Sequence, residues 1–295
     1  MRKAPPVVLT IAGFDPSSGA GVTADIKTIA AHGCYGVACI TALTVQSTSR
    51  IRQIECLDPV LVSGTLEELA SDFEIAAVHI GMMGSGKIAK ALADFLIEQE
   101  PVKVVLDPVL KSTSGAELLD ESGRQLLSEK LLQLATVITP NVAEASALTG
   151  HAVRDPDQMR AAAHKLHAMG AKAIVITGGE LEKAIDLLSF TTKWGVEQEI
   201  FKSERQRSQS THGTGCAFSA AMACHLAQGR GLPEAVLLAK VYVTAAISHA
   251  YPLGRGIGPV DHLYRMYQQR RVVIADLEPL SDQNRERLPV VKSQK

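Results

Sequence analysis

Six short apolar runs, rich in β-branched residues, limit the folds open to this chain more than any other feature. They occupy residues 7–12, 37–45, 76–80, 102–106, 137–139 and 173–176. Each is mostly apolar at consecutive positions, the pattern of a strand buried on both faces. Helical patterns at 22–32, 61–73, 217–228 and 233–250 accompany them, and Gly33 and Gly229 stop two of these helices. The alternation predicts an α/β fold with a mainly parallel central sheet covered by helices on both faces. Runs at 184–190 and 195–201, joined by Thr191-Thr192-Lys193-Trp194, predict a hairpin that extends one edge of that sheet. No internal repeat and no interdomain linker interrupts the pattern. Residues 1–280 therefore read as one domain, and the polar, charged stretch 281–295 as a frayed tail.

The strand ends carry the chemistry. The runs are followed by Gly13, Gln46, Gly81, Asp107-Pro108, Pro140-Asn141 and Thr177-Gly178-Gly179. In open parallel sheets the carboxyl ends of the strands are where ligands bind. Turn and capping chemistry accounts for any one of these residues taken singly, but less well for all of them together. The stretch Thr211-His212-Gly213-Thr214-Gly215-Cys216 opens an alanine-rich helix. Its glycines allow close backbone approach, and the unpaired first amides of the helix would stabilise a phosphate in transfer. Cys216 falls in the first helical turn, where a thiol pKa is expected to drop. Gly81-Met82-Met83-Gly84-Ser85-Gly86-Lys87 imitates the start of a P-loop. Position 88 is Ile rather than the Ser or Thr that would hold magnesium, so that motif is set aside.

A net charge of −1 gives no electrostatic footprint for nucleic acid or an anionic membrane. No apolar run reaches the roughly 18 residues of a membrane span. The opening Met1-Arg2-Lys3 and apolar run are too short for a signal peptide and read as the first strand. Five scattered cysteines without a CxxC pair speak against structural zinc and for a reducing cytoplasm.

The motifs taken in order resemble one family. Residues 10–21 (TIAGFDPSSGAG), 40–46 (ITALTVQ), Ile80-Gly81-Met82-Met83, Leu106-Asp107-Pro108-Val109, Thr139-Pro140-Asn141 with Glu144, His212-Gly213-Thr214-Gly215-Cys216 and 254–260 (GRGIGPV) are similar to the hydroxymethylpyrimidine and phosphomethylpyrimidine kinases. The resemblance implies a three-layer ribokinase-like fold without a separate lid domain. It also implies ATP with Mg²⁺, a homodimer, and phosphorylation of the pyrimidine precursor of thiamine. By match to the family motifs, Gln46 would read the aminopyrimidine edge, and Gly13, Ala20, Thr44, Met82 and Val109 would surround the ring. A carboxamide both donates and accepts, as that edge requires. The amides of Gly213, Thr214, Gly215 and Cys216 would hold the transferring phosphoryl group, with Cys216 at the position of the base. Asn141 and Glu144 would organise phosphates and magnesium, Glu144 through water, with Thr177 and Asp107 as further nucleotide-side candidates.

Two departures stand out. Thr113 precedes Ser114-Gly115 where the family usually has Lys, and Thr177 opens Thr177-Gly178-Gly179-Glu180 where it often has Lys-Gly-Gly-His. Fewer cations at a phosphate-handling edge predict a weaker second phosphorylation, that of the monophosphate. A pyridoxal-type kinase and a non-catalytic pyrimidine-binding protein are the alternative readings.

Overall fold

The computed structural model describes residues 4–99, 102–112, 115–179, 181, 184–204, 206 and 208–266. The chain runs β1 (Val7–Phe14), α1 (Gly21–Ala31), β2 (Tyr35–Ser47), β3 (Arg50–Cys56), α2 (Pro59–Asp72), β4 (Ile75–Ile80), α3 (Gly86–Glu98) and β5 (Lys103–Leu106). It continues through α4 (Glu121–Leu126), a π-helical turn (Leu127–Leu131), α5 (Leu132–Leu134), β6 (Val137–Ile138), α6 (Val142–Thr149) and α7 (Pro156–Ala168). Strands β7 (Ala173–Gly178), β8 (Ile185–Thr192) and β9 (Gly195–Lys202) and helices α8 (Thr214–Ala227) and α9 (Leu232–Ser248) complete it.

All nine strands form one sheet in the order β3-β2-β1-β4-β5-β6-β7-β8-β9. The six strands from β2 to β7 in that order are parallel, and β3, β8 and β9 are antiparallel additions at the edges. Successive side chains of a strand point to opposite faces, so a strand covered on both must be apolar throughout. In β1, Leu9 and Ile11 pack with Leu66, Leu92, Leu127 and Leu166 on one face, under the helices from α2 to α7. Val8 packs with Ile29, Met222 and Tyr242 on the other, under α1, α8 and α9. These two cores are the outer seams of a three-layer α/β/α architecture.

The expected hairpin is β8 and β9, paired from Ile185↔Lys202 to Thr192↔Gly195. Strand β3 was not anticipated. Its sequence, RIRQIEC, is largely polar because it is an edge strand with little burial, so no apolar run marks it. Helix α7 was also unread, although Asp155 caps it by accepting from Gln158 N and Pro156 occupies its first turn. The false P-loop is a packing junction. Ser85 caps α3, and a Cβ on Gly86 would lie 2.2 Å from Ser122 Oγ. The 280 boundary and the tail 281–295 lie outside the described residues. Among the described residues no helix is long and apolar enough to cross a membrane.

Candidate active site

The carboxyl ends of β1, β4, β5, β6 and β7 open into one cleft of about 820 Å³, with the N-terminus of α8 in its wall. Every residue given a binding or catalytic role in the sequence reading lines this cleft. At one end Thr44 and Gln46 project from β2, beside Gly13, Ala20, Met82 and Val109. A small apolar cluster of Ala42, Met82 and Leu118, with Ile51, Ile54 and Val109 against it, floors this end. Thr41 holds the Met82 backbone in place by donating to its carbonyl at 2.6 Å. Thus the unanticipated β3 contributes Ile51 and Ile54 to the pocket floor.

In the middle of the cleft, Gly213 is the N-cap of α8 with φ 81° and ψ 10°. The left-handed conformation turns the chain so that α8 begins at Thr214, and its first-turn amides lack acceptors within the helix, the Thr214 amide making a long bond of 3.3 Å to Thr211 O just before it. Asp107, at the end of β5, sits below this turn; a Cβ on Gly215 would be 3.6 Å from its Oδ2.

A buried polar chain runs away from Asp107. Ser219 approaches Asp107 Oδ2 at 3.3 Å and His79 Nε2 at 2.9 Å. His79 Nδ1 lies 3.1 Å from Thr10 Oγ1 and 3.4 Å from Asp25 Oδ2, and Thr10 donates to that Asp25 oxygen at 2.7 Å. Burial raises the Asp107 carboxyl to about 6, with Asp25 adding to the rise and His79 and Ser219 opposing it. None of Thr10, Asp25, His79 or Ser219 was selected from the sequence. Each sits inside an apolar or alanine-rich run, and only the fold brings them together.

Cys216 corrects one expectation. Its thiol pKa does not fall at the helix start; it is pushed well above the ordinary value. Desolvation is the main cause and the carboxylates of Asp25 and Asp107 add to it, outweighing a hydrogen bond from the Gly21 amide. The residue as a whole keeps intermediate exposure, because the cleft reaches it, but the sulfur is enclosed.

At the other end, Asn141 and Glu144 form a capping box on α6. Asn141 Oδ1 accepts from Glu144 N at 2.8 Å, and Glu144 Oε2 accepts from Asn141 N at 2.9 Å. Both line the cleft while serving as the cap, so structural and ligand-facing roles coincide. Thr177 lies nearby, its amide donating to Pro140 O at 2.9 Å. Lys240 and Asp186, both close to fully buried, form an ion pair of 2.6 Å in this wall, and Asp186 Oδ1 accepts from Gly178 N at 3.1 Å. Lys240→Met is expected to destabilise the fold by about 3–5 kcal/mol, because it leaves the Asp186 carboxylate buried without its countercharge. Chemical denaturation would show this, and the double change with Asp186→Leu should recover much of the loss.

Sequence reading also left Asp15 and His212 out of the site. His212 Nε2 lies 2.9 Å from Asp15 Oδ2 and 3.3 Å from the Gln46 amide. Both residues stand within recognised motifs, yet they are 197 positions apart and their pairing is a product of the fold. Of the two departures, Thr177 is in place in the cleft, whereas Thr113, Ser114 and Glu180 lie outside the described residues. Lys111, the nearest cation to the first departure, is paired with Glu117 at 2.6 Å.

Phosphoryl transfer needs positioning and electrostatic stabilisation more than covalent help. A helix N-terminus whose amides face a cleft, beside an apolar pocket that ends in one held carboxamide, marks a kinase of a small flat molecule. A family profile described as phosphomethylpyrimidine kinase matches residues 15–261. The hydroxymethylpyrimidine/phosphomethylpyrimidine kinase of Haemophilus influenzae is 42% identical over 260 residues, 86% of this chain and 96% of that protein. The thiamine biosynthesis bifunctional protein ThiED of Geobacter sulfurreducens is 43% identical over 258 residues, 87% of this chain. The match spans 52% of that longer protein. Among solved structures, the ADP complex of Bacillus subtilis pyridoxal kinase superposes with a TM-score of 0.81 at 35% identity, over 90% of this chain and all of that one. The chain belongs to the phosphomethylpyrimidine kinase family, and its fold is the ribokinase-like one.

Proposed function

We propose that this protein transfers the γ-phosphoryl group of ATP to the hydroxymethyl group of 4-amino-5-hydroxymethyl-2-methylpyrimidine, and more slowly to its monophosphate, in thiamine biosynthesis. The observation that carries the reading is the pairing, in one cleft, of the Gln46 carboxamide with the amide turn at Gly213–Cys216. In this reading the pyrimidine lies on the Ala42–Met82–Leu118 floor with its amino edge against Gln46. Its hydroxyl attacks the γ-phosphorus in line, and the amides of Gly213, Thr214, Gly215 and Cys216 hold the charge that develops. The Cys216 thiolate, a minor species because burial raises the thiol, receives the hydroxyl proton. The nucleotide occupies the end lined by Asn141, Glu144, Thr177 and Asp107.

Among the described residues no three His, Cys, Asp or Glu side chains gather to hold an ion. Mg²⁺ keeps most of its waters and leans on substrate phosphates and one or two carboxylates. Glu144 would hold it through water, with Asp107 as the second carboxylate in reach of the cleft. The ion would neutralise phosphate charge. A homodimer and a cytoplasmic location belong to the same proposal and rest on the family resemblance; light scattering checks the first.

The test is Mg-ATP turnover on the pyrimidine alcohol, its monophosphate and pyridoxal, side by side. The alcohol is expected to be preferred, and Gln46→Leu to lower its kcat/KM by about ten- to hundredfold, the cost of one unmet buried hydrogen-bonding edge. The monophosphate should be slower, since Thr177 replaces a cation and Lys111 is engaged by Glu117. Equal rates on the two pyrimidines would contradict that ordering. Preference for pyridoxal would reassign the substrate.

A further inference from the structure

The geometry points to Asp15 and His212 as a positioning pair that fixes which way the Gln46 carboxamide faces, and so sets the preference for a ring bearing an amino group beside a ring nitrogen. The inference rests on the pyrimidine reading above. Two independent neighbours settle the orientation of the amide. The first is Thr44, whose hydroxyl lies 3.0 Å from Phe14 O and 3.2 Å from one terminal atom of Gln46. A backbone carbonyl only accepts, so the single Thr44 proton goes to Phe14. Thr44 can then only accept from Gln46, which requires the NH₂ group on that side.

The second neighbour is His212. Asp15 Oδ1 accepts from Ser17 N at 2.8 Å and Ser17 Oγ at 2.7 Å, and Oδ2 accepts from Ala20 N at 3.0 Å. Burial opposes ionisation of Asp15, but the hydrogen bonds from His212 and Ser17 hold its carboxyl below the usual value. An ionised Asp15 Oδ2 at 2.9 Å requires a proton on His212 Nε2. A protonated ring nitrogen cannot accept, and its single proton points mainly to Asp15. The Gln46 atom 3.3 Å away can only share that N–H as a second acceptor, so it must be the carboxamide oxygen rather than the NH₂ group. With Oε1 toward Thr44 and Nε2 toward His212, two donors would meet at 3.3 Å; turning the amide by half a rotation satisfies both neighbours at once.

The ring of His212 has little freedom to escape this role. Its amide donates to Gly258 O at 3.0 Å and its carbonyl accepts from Val260 N at 3.3 Å. A Cβ on Gly19 would lie 2.3 Å from His212 Cδ2. With its outer N–H on Thr44 and its outer lone pair on His212, Gln46 presents one remaining N–H and one remaining lone pair side by side. That edge matches an acceptor ring nitrogen next to a donor amino group. A ring without the amino group leaves the oxygen unmet.

The experiment compares kcat/KM for the pyrimidine alcohol with that for its analogue lacking the 4-amino group. Wild type is expected to favour the amino compound, and His212→Leu to reduce that ratio by about tenfold or more. His212→Gln, whose NH₂ group has one proton for Asp15 and another for Gln46, should restore it. Thr44→Val removes the other constraint and should lower the ratio independently of how well His212→Leu folds. If the amino preference survives both His212→Leu and Thr44→Val, the positioning role is overturned while the pyrimidine reading stands. If both compounds lose rate in equal proportion, the role of His212 is structural and the inference also falls. If wild type shows no turnover of either pyrimidine, the functional reading itself fails and takes the inference with it.

Discussion

Gly213→Ala is expected to lower kcat on the pyrimidine alcohol by about 10²–10³-fold, the scale of losing a donor from an oxyanion-type site. The position has φ 81°, a conformation costing an L-residue about 1–2 kcal/mol before any contact is counted. Contact makes it worse. A Cβ there would lie 1.8 Å from Gly19 O and 2.9 Å from Gly19 C, both backbone atoms that have no rotamer to change. Either the 15–20 loop retreats or the turn before α8 reorganises, and each outcome moves the Thr214, Gly215 and Cys216 amides off their target. Gly215→Ala is the control. Its Cβ would meet only Asp107 Oδ2 at 3.6 Å, an ordinary contact, so its thermal stability should remain near wild type while Gly213→Ala melts several degrees lower. Steady-state kinetics and thermal unfolding of the two variants decide the matter. A Gly213→Ala enzyme with near-normal kcat would remove these amides from the catalytic account.

How much of this was legible in the sequence follows from what each residue has to do locally. The parallel strands show as apolar runs because both faces of the sheet are covered, and the β8–β9 hairpin shows because β8 is such a run and Thr191-Thr192-Lys193-Trp194 joins it to a second extended segment. Strand β3 does not, because an edge strand with polar side chains carries no burial signal. Cleft residues at strand ends were recognisable because glycine, proline and amide side chains break an apolar run at a fixed place. The Asp15–His212 and Asp186–Lys240 pairs, and the chain from Asp25 to Asp107, join side chains from separate elements. No local pattern encodes such pairing. The thiol of Cys216 shows the same limit in its energetics. Its position in a first helical turn was readable, but the burial that raises the thiol, and the carboxylates from α1 and the end of β5 that add to it, are set by the fold.

That reversal makes the pH dependence of the reaction informative. If Cys216 accepts the hydroxyl proton, kcat is expected to rise by about tenfold per pH unit from neutrality upward and reach no plateau before pH 9. The sign follows from burial and the carboxylates of Asp25 and Asp107, which raise the thiol and keep the active thiolate a minor species at neutral pH. Cys216→Ala should then abolish the slope and lower kcat at pH 9 by about 10²–10⁴-fold, the usual contribution of a general base. Asp107 provides the opposing outcome. Its carboxyl, held at about 6, would give a rate that climbs through pH 6 and is level from 7 to 9, with Cys216→Ala leaving that shape unchanged. A level profile would therefore transfer the proton to Asp107 and reduce Cys216 to a donor of its backbone amide. Solvent exchange of the attacking hydroxyl does not distinguish the two, but the slope between pH 7 and 9 does, because Asp107 is already ionised there while the minor thiolate population is still growing.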